Sequence, residues 1–187
     1  MRLMGYVLTG GRSTRMGKDK ALLPFRGRTL VECVAQVVKE AAGSVTLVGP
    51  LERYSSLGLP VIEDRYPGCG PLGGIHAALE HSAAELTLIT ACDMPYLTVD
   101  FLKWIAANAE CEEADAVLPC GPSGRPEPLC SIYRRTCLSP ITSALFSHRF
   151  KVTDALAGLR ITLLPLTGLS PLVNANTPQD WTEVNHG

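Results

Sequence analysis

The chain has 187 residues, of which 46% are hydrophobic and 19% are charged, and its formal net charge is -1. This composition excludes disordered and fibrous classes, and the near-neutral charge argues against a general nucleic-acid-binding protein. No apolar run approaches the ~18 residues of a membrane span, and the amino terminus lacks a secretory signal pattern. We therefore expect one domain over residues 1–187, located in the cytoplasm, with neither nucleic acid nor membrane as a partner.

Apolar runs of strand length alternate with segments of helical periodicity along the chain. Strands are predicted at Gly5–Thr9, Ser44–Val48, Leu59–Ile62, Leu86–Ala91, Asp115–Leu118, Leu129–Tyr133 and Arg160–Leu164. Helices are predicted at Thr29–Ala42, Pro71–Ser82, Val99–Ala109, Arg134–Phe146 and Gln179–Asn185, and a loop at Pro119–Pro128. This alternation predicts an α/β fold in which a mostly parallel central sheet is covered by helices on both sides, a three-layer αβα sandwich.

A glycine-rich basic segment, GGRSTRMGKDK, follows the first predicted strand. Residues 1–28 contain seven lysines and arginines against one acid, Asp19, whereas the remainder has ten bases and seventeen acids. Gly10 and Gly11 allow backbone N–H groups to turn toward an anion, and Arg15 and Lys20 can neutralise phosphate oxygens. The segment matches neither the P-loop nor the dinucleotide-binding glycine pattern, and a solvated charged turn is the structural alternative.

The motif CDMPY places Asp93 immediately after an apolar strand. Ligands of open α/β sheets bind outside the carboxyl ends of the strands, and a carboxylate there suits Mg²⁺, which also takes oxygens from substrate phosphates. The structural alternative, a helix cap, is weaker because Thr98 and Asp100 are better placed to cap the next helix. We therefore predict that Asp93 binds Mg²⁺.

The motif GCGPLGG precedes the helix that opens at Pro71. Gly70, Pro71, Leu72 and Gly73 expose main-chain groups that can match the hydrogen-bonding edge of guanine. A buried donor left unpaired by the wrong base costs about 1–3 kcal/mol, which is enough to select guanine. A tight turn with close helix packing would also explain the glycines.

Acidic and amide side chains elsewhere complete the candidate site. Either Glu63 or Asp64 could receive a ribose hydroxyl, and Asn174 and Asn176 alternate on one face of an extended segment. The seven cysteines contain no C-x-x-C pair and are expected as reduced thiols, and the four histidines form no ligand pattern.

Together these segments resemble the molybdenum cofactor guanylyltransferase family over most of the chain. The run from Leu8 to Lys20 is similar to the L-x-G-G-x-S-x-R-M-G-x-D-K signature, EDRYPGCGPLGG to the guanine-contacting loop, and CDMP to the metal-binding D-x-P. RPEPLCSIYR and NANTP look like the family's later segments. Thr9 and Gly73 stand where the family often has alanine, and both leave the role of the backbone intact.

The resemblance implies a Rossmann-like nucleotidyltransferase domain that transfers GMP from GTP to the molybdopterin cofactor and releases pyrophosphate. It places the nucleotide at Leu8, Thr9, Gly10, Gly11, Lys20, Asp64, Gly70, Pro71, Leu72 and Gly73, and the pterin substrate at Asn174 and Asn176. Lys20, Arg15 and Asp93 would be catalytic, with Mg²⁺ on Asp93. Molybdoenzymes or their chaperones are the protein partners that the resemblance implies.

Three alternatives follow from the same residues. The acceptor could be a different phosphate, with a cytidine-form cofactor or a sugar nucleotide as the product. The chain could bind GTP as a cofactor adaptor without catalysis. An NAD-dependent oxidoreductase is a third alternative, which the missing G-x-G-x-x-G disfavours.

Overall fold

The computed structural model describes residues 1–9, 19–166 and 172. Its strands are β1 (Leu3–Leu8), β2 (Pro24–Phe25), β3 (Arg28–Thr29), β4 (Val45–Val48), β5 (Val61–Ile62), β6 (Leu86–Ala91), β7 (Ala116–Cys120), β8 (Cys130–Tyr133) and β9 (Ile161–Pro165). Its α-helices are α1 (Leu30–Ala42), α2 (Leu51–Tyr54), α3 (Pro71–His81), α4 (Val99–Cys111), α5 (Leu138–Phe146) and α6 (Val152–Ala155). Short 3₁₀ turns occupy Lys20–Leu22, Ser55–Leu57 and Arg135–Cys137.

Seven strands form one sheet in the order β5-β4-β1-β6-β8-β7-β9, while β2 and β3 form a separate antiparallel ribbon. Four of the six strand pairings in the large sheet are parallel, and β8 runs antiparallel to both of its neighbours. The predicted α/β class with a mostly parallel sheet is confirmed. The antiparallel direction of β8 was not predicted.

Two apolar clusters lie on opposite faces of the sheet. One contains α1 and α4 side chains such as Val34 and Leu102, and the other contains α3 and α5 side chains such as Ile75 and Ile141. Fully buried strands carry β-branched and aliphatic residues on both faces, as parallel strands covered on two sides require. The two clusters form the layers above and below the sheet.

Local sequence signals fix several element ends. Thr29 precedes α1 and forms a capping arrangement with the Glu32 carboxylate, and Gly43 ends α1 with a positive φ of 76°. Pro71 opens α3, and the Thr98 hydroxyl accepts from the Phe101 N–H at the start of α4. These boundaries agree with the predictions to within one or two residues.

One sequence prediction is corrected by the structure, and another falls on residues that the structure does not describe. The predicted loop Pro119–Pro128 starts too early, because β7 continues to Cys120, where it pairs with Pro165 of β9. The predicted closing helix Gln179–Asn185 lies outside the described residues. No helix of the described ranges combines the length and the apolar character needed to cross a membrane.

Candidate active site

The carboxyl ends of four parallel strands lie level at one edge of the sheet. Leu8 of β1 is opposite Val48 of β4 and Ala91 of β6, and Val48 is in turn opposite Ile62 of β5. The strand order reverses beside β1, because the chain builds β4 and β5 on one side of it and then crosses to β6 on the other. Such a reversal opens a crevice where ligands of these sheets bind.

Asp93 lies two residues beyond this row, and its half-buried carboxyl is close to Lys20. Desolvation raises the pKa of Asp93, and the positive charge of Lys20 opposes that rise. Desolvation likewise raises the pKa of the neighbouring Cys92 thiol to about 12, with Asp93 and Asp19 adding to the effect. Lys20 and Asp93, which are far apart in the sequence, are therefore close enough in the fold to act on each other electrostatically.

Glu127 is a second carboxyl near Asp93 that the sequence did not single out. Burial raises its pKa, its Oε1 accepts from the Leu129 N–H at 3.3 Å, and the Asp93 charge adds to the shift. It stands between two prolines in RPEPL, directly before β8. Glu127 reaches the edge that carries Asp93 because β8 runs antiparallel to β6, and the sequence did not predict that reversal.

Carboxylate oxygens are the donors that Mg²⁺ takes from proteins, usually one or two of them with water and substrate phosphates completing the shell. Asp93 and Glu127 offer this type of donor. Among the described residues, no three histidines, cysteines or acids are grouped as a metal cage. Asp93 and Glu127 are the type of donor that Mg²⁺ takes when water and substrate phosphates complete its shell.

Asp64 also lies two residues beyond the strand row, on the other side of β1. Its Oδ1 accepts from the Tyr66 N–H at 2.7 Å, and burial raises its pKa. A Cβ built on Gly73 would lie 2.5 Å from Asp64 Oδ2, so the carboxyl rests against the α3 backbone. Glu63, in contrast, is exposed and accepts from the Leu51 N–H at the start of α2. The two acids that the sequence left as alternatives thus have different surroundings.

The first turn of α3 stacks on the end of β1. Gly70 precedes the helix with a φ of 65°, which suits glycine, and a Cβ on Gly74 would lie 3.1 Å from the Leu8 side chain. Leu72 and Gly73 are buried, main chain included, whereas Gly70 and Pro71 are exposed, so the first two residues of the segment are the ones that present main-chain groups at the surface. Leu8 is buried under α3, and its carbonyl accepts from the Cys92 N–H at 3.1 Å. The end of β1 therefore contacts the first turn of α3 on one side and the segment that leads to Asp93 on the other.

Thr9 turns its side chain away from the cleft. Its hydroxyl and its N–H both donate to the Val48 carbonyl, at 2.9 and 3.0 Å. The hydroxyl also fills the space beside Gly49, where a Cβ would collide with it. Any nucleotide contact at Thr9 would therefore come from its main chain.

A cleft of about 250 Å³ adjoins the Asp93 loop on the α1 side of the sheet. Met94 and Pro95 line one wall, and Arg26 and Arg28 of the β2–β3 ribbon line another. Arg26 and Gly27 both have positive φ, as a two-residue hairpin turn requires. Both arginines are exposed, and the Glu32 carboxylate is near enough to Arg28 to interact with it electrostatically.

Several predicted site residues lie outside the described ranges, and nothing in the structure tests them. These are Gly10, Gly11, Arg15, Asn174 and Asn176. Of the others, Leu8, Thr9, Lys20, Asp64, the segment 70–73 and Asp93 all lie along the same edge of the sheet. Tyr54 and Asp19, whose contact is described below, were missed because no motif marks them as a pair.

The chain matches the model of the MobA-like NTP transferase domain over residues 5–158. It is 32% identical to a probable molybdenum cofactor guanylyltransferase of Carboxydothermus hydrogenoformans, covering 95% of this chain and 92% of that protein. A protein of the same description from Halalkalibacterium halodurans is 35% identical, covering 96% of each.

A crystal structure of molybdopterin-guanine dinucleotide biosynthesis protein A from Archaeoglobus fulgidus superposes with a TM-score of 0.84. It is 25% identical, and the match covers 98% of this chain and 97% of that one. The fold and these likenesses agree, and the chain belongs to the MobA-like NTP transferase family.

Proposed function

We propose that the protein transfers GMP from GTP to the terminal phosphate of the molybdopterin cofactor, forming the guanine dinucleotide form and pyrophosphate. The observation that supports the proposal is the electrostatic effect of Lys20 on Asp93, which follows the end of β6 beside β1. The likeness to guanylyltransferases over nearly the whole chain supports the choice of nucleotide and acceptor.

The guanosine would lie between Asp64 and the main chain of residues 70–73. Asp64 is oriented by the Tyr66 N–H, and its carboxylate would accept from a ribose hydroxyl. Main-chain groups at the start of α3 would pair with the edge of the base. This arrangement gives guanine selectivity because adenine and cytosine present different donors and acceptors to a fixed backbone.

The triphosphate would lie across the end of β1, beside Lys20. In the proposed step an oxygen of the acceptor phosphate attacks the α-phosphorus of GTP, the bond to the β-phosphate oxygen breaks, and pyrophosphate leaves. Lys20 would neutralise charge on the departing pyrophosphate, and Arg15 is proposed to assist it. No general base is needed, because a phosphate monoester is already ionised near pH 7.

Mg²⁺ is proposed as the cofactor, and when bound it would supply electrostatic stabilisation of the phosphate oxygens on which charge accumulates. Asp93 would hold it, with Glu127 as the nearby second carboxylate. Positioning and charge neutralisation by these side chains would then carry most of the acceleration.

The phosphorylated acceptor is proposed to approach from the cleft beside Met94 and Pro95, whose wall carries Arg26 and Arg28. Asn174 and Asn176 remain proposed contacts of the pterin. Molybdoenzymes or their chaperones are proposed to receive the product, in the cytoplasm.

Replacing Arg28 by alanine would raise KM for the acceptor and leave KM for GTP unchanged. Equal effects on both KM values would contradict the placement of the acceptor in the cleft beside Met94 and Pro95.

The proposal is tested by thermal unfolding with each nucleoside triphosphate and Mg²⁺. At 100 times its Kd, GTP would add about 2.7 kcal/mol, or roughly 5–10 °C in Tm for a chain of this size. CTP, ATP and UTP at the same concentration would add much less. Equal shifts with all four would remove the guanine assignment, and a larger shift with CTP would point to the cytidine-form product.

A further inference from the structure

The Tyr54 hydroxyl contacts two segments that are separated in the sequence by residues 10–18. Tyr54 is the last residue of α2, and only 1% of it is exposed. Its hydroxyl lies 2.8 Å from Asp19 Oδ2 and 3.3 Å from the Thr9 carbonyl oxygen. One buried phenol group thus lies between the end of β1 and the residue before Lys20.

Asp19 in turn sets the conformation of the chain at Lys20. Its Oδ1 accepts from the Ala21 N–H at 3.1 Å, which caps the 3₁₀ turn Lys20–Leu22, and its carbonyl accepts from the Leu22 N–H. Arg53 also lies 3.6 Å from Asp19 Oδ2, but its side chain is 55% exposed, so this ion pair contributes little. The buried contact of Asp19 is therefore the one with Tyr54.

We infer that Tyr54 is a positioning residue whose hydroxyl holds Asp19 against the end of β1 and thereby keeps Lys20 beside Asp93. The consequence for catalysis rests on the proposed function. Burial and the Asp19 carboxylate raise the pKa of Tyr54 well above its ordinary value, so the hydroxyl stays a hydrogen-bond donor over the working pH range. A neutral donor can orient Asp19 without cancelling its charge.

The first test uses the protein without any nucleotide and follows amide hydrogen exchange in Tyr54→Phe. We expect the amides of Ala21, Leu22 and Leu23 to exchange about tenfold faster, because the capping carboxylate loses a buried charge-assisted hydrogen bond. The amide of Leu47, in β4, would keep its wild-type rate. Tyr6→Phe is the matched control.

Tyr6 is also a fully buried tyrosine, and its hydroxyl lies 2.9 Å from His81 Nδ1 at the far end of α3. Its replacement would leave the exchange of residues 21–23 unchanged. Wild-type exchange of these amides in Tyr54→Phe would overturn the inference. The same acceleration of exchange in the sheet as in residues 21–23 would also overturn it, because that result indicates general destabilisation.

The second test measures GTP turnover in a double-mutant cycle. Tyr54→Phe would lower kcat/KM for GTP roughly 10-fold, mainly through kcat because it acts through Lys20, whereas Tyr6→Phe would keep the wild-type value. In an Asp19→Ala background, where the main acceptor of the hydroxyl is gone, Tyr54→Phe would add less than about a twofold loss. If the loss in kcat/KM of the double variant equals the product of the losses of the two single variants, the inference is overturned.

If the wild type turns over no GTP, the proposed function fails, and the exchange experiment still decides the role of Tyr54.

Discussion

The Lys20 ammonium and the Asp93 carboxyl act on each other electrostatically across the end of β1. Lys20 follows the glycine-rich basic segment, and Asp93 follows β6, which is the strand paired with β1 on the side opposite β4. Parallel pairing of β1 with β6, from Leu3 with Leu86 to Leu8 with Ala91, brings the two loops to the same edge. A cationic group and the proposed Mg²⁺ ligand therefore lie at the same edge of the sheet, which is the arrangement that a metal-bound polyphosphate needs.

Removing either charge should abolish most of the transfer activity. We predict that Lys20→Ala and Asp93→Asn each lower kcat for pyrophosphate release by at least ~100-fold, as removal of one transition-state charge partner does elsewhere. Lys103→Ala and Asp100→Asn, both on the exposed surface of α4, are the matched controls and should keep the wild-type rate. Wild-type turnover in folded Lys20→Ala and Asp93→Asn would show that the catalytic assignment of these two residues is wrong.

Asp93→Asn should also make the protein more stable at neutral pH. The folded state raises the pKa of Asp93 through desolvation, so this carboxyl stabilises the fold only below its unfolded pKa of about 3.9, and the contribution is lost as the pH rises through the folded value. We predict a higher Tm for the asparagine variant at pH 7 without metal, with the difference closing below about pH 4. A lower Tm at pH 7 would contradict the desolvated position of Asp93.

Gly73→Ala should disturb the guanosine side of the site through Asp64. The new Cβ would lie 2.5 Å from Oδ2 and 2.6 Å from Oδ1, so the carboxyl must leave the Tyr66 N–H. We predict a loss of about 1 kcal/mol in the free energy of unfolding and a roughly 10-fold rise in KM for GTP, with kcat little changed. In Gly121→Ala, where a Cβ meets nothing within 4 Å, both quantities should stay at wild-type values.

Asp115 should matter for stability and not for activity. Its Oδ1 accepts from the Thr136 hydroxyl at 2.7 Å and its Oδ2 from the Arg160 N–H at 2.9 Å, which ties the start of β7 to the segments before α5 and β9. We predict that Asp115→Ala lowers the free energy of unfolding by about 2 kcal/mol and leaves GTP turnover unchanged. Asp154→Ala, which removes an exposed ion pair with Lys151, should cost less than about 0.5 kcal/mol.

The pH dependence at Asp115 should have the opposite sign to that at Asp93. The Thr136 hydroxyl and the Arg160 N–H lower the pKa of Asp115, so its stabilising contribution is present above the unfolded pKa of about 3.9 and is lost as the pH falls through the folded value. Urea unfolding from pH 7 to pH 2 should therefore show the wild type converging on Asp115→Ala at acidic pH. A constant gap over that range would contradict the assignment.

The sequence alone determined the α/β class, most element boundaries and the three loops that are proposed to form the site. These features depend on local signals: apolar periodicity gave α1 and β6, Thr29 and Gly43 gave the ends of α1, and Pro71 gave the start of α3. Motif spacing was enough to select Lys20 and Asp93, because residues that follow the strands of a parallel sheet emerge at one edge.

Only the tertiary structure decided the reversal of β8, the extension of β7 through Cys120 and the contact of Tyr54 with Asp19. It also separated Asp64 from Glu63, since one carboxyl packs against Gly73 and the other accepts from the start of α2. Strand direction and side-chain partners depend on which distant segments pack together, and a desolvated pKa depends on everything around the group. That information is not carried by any local stretch of the chain.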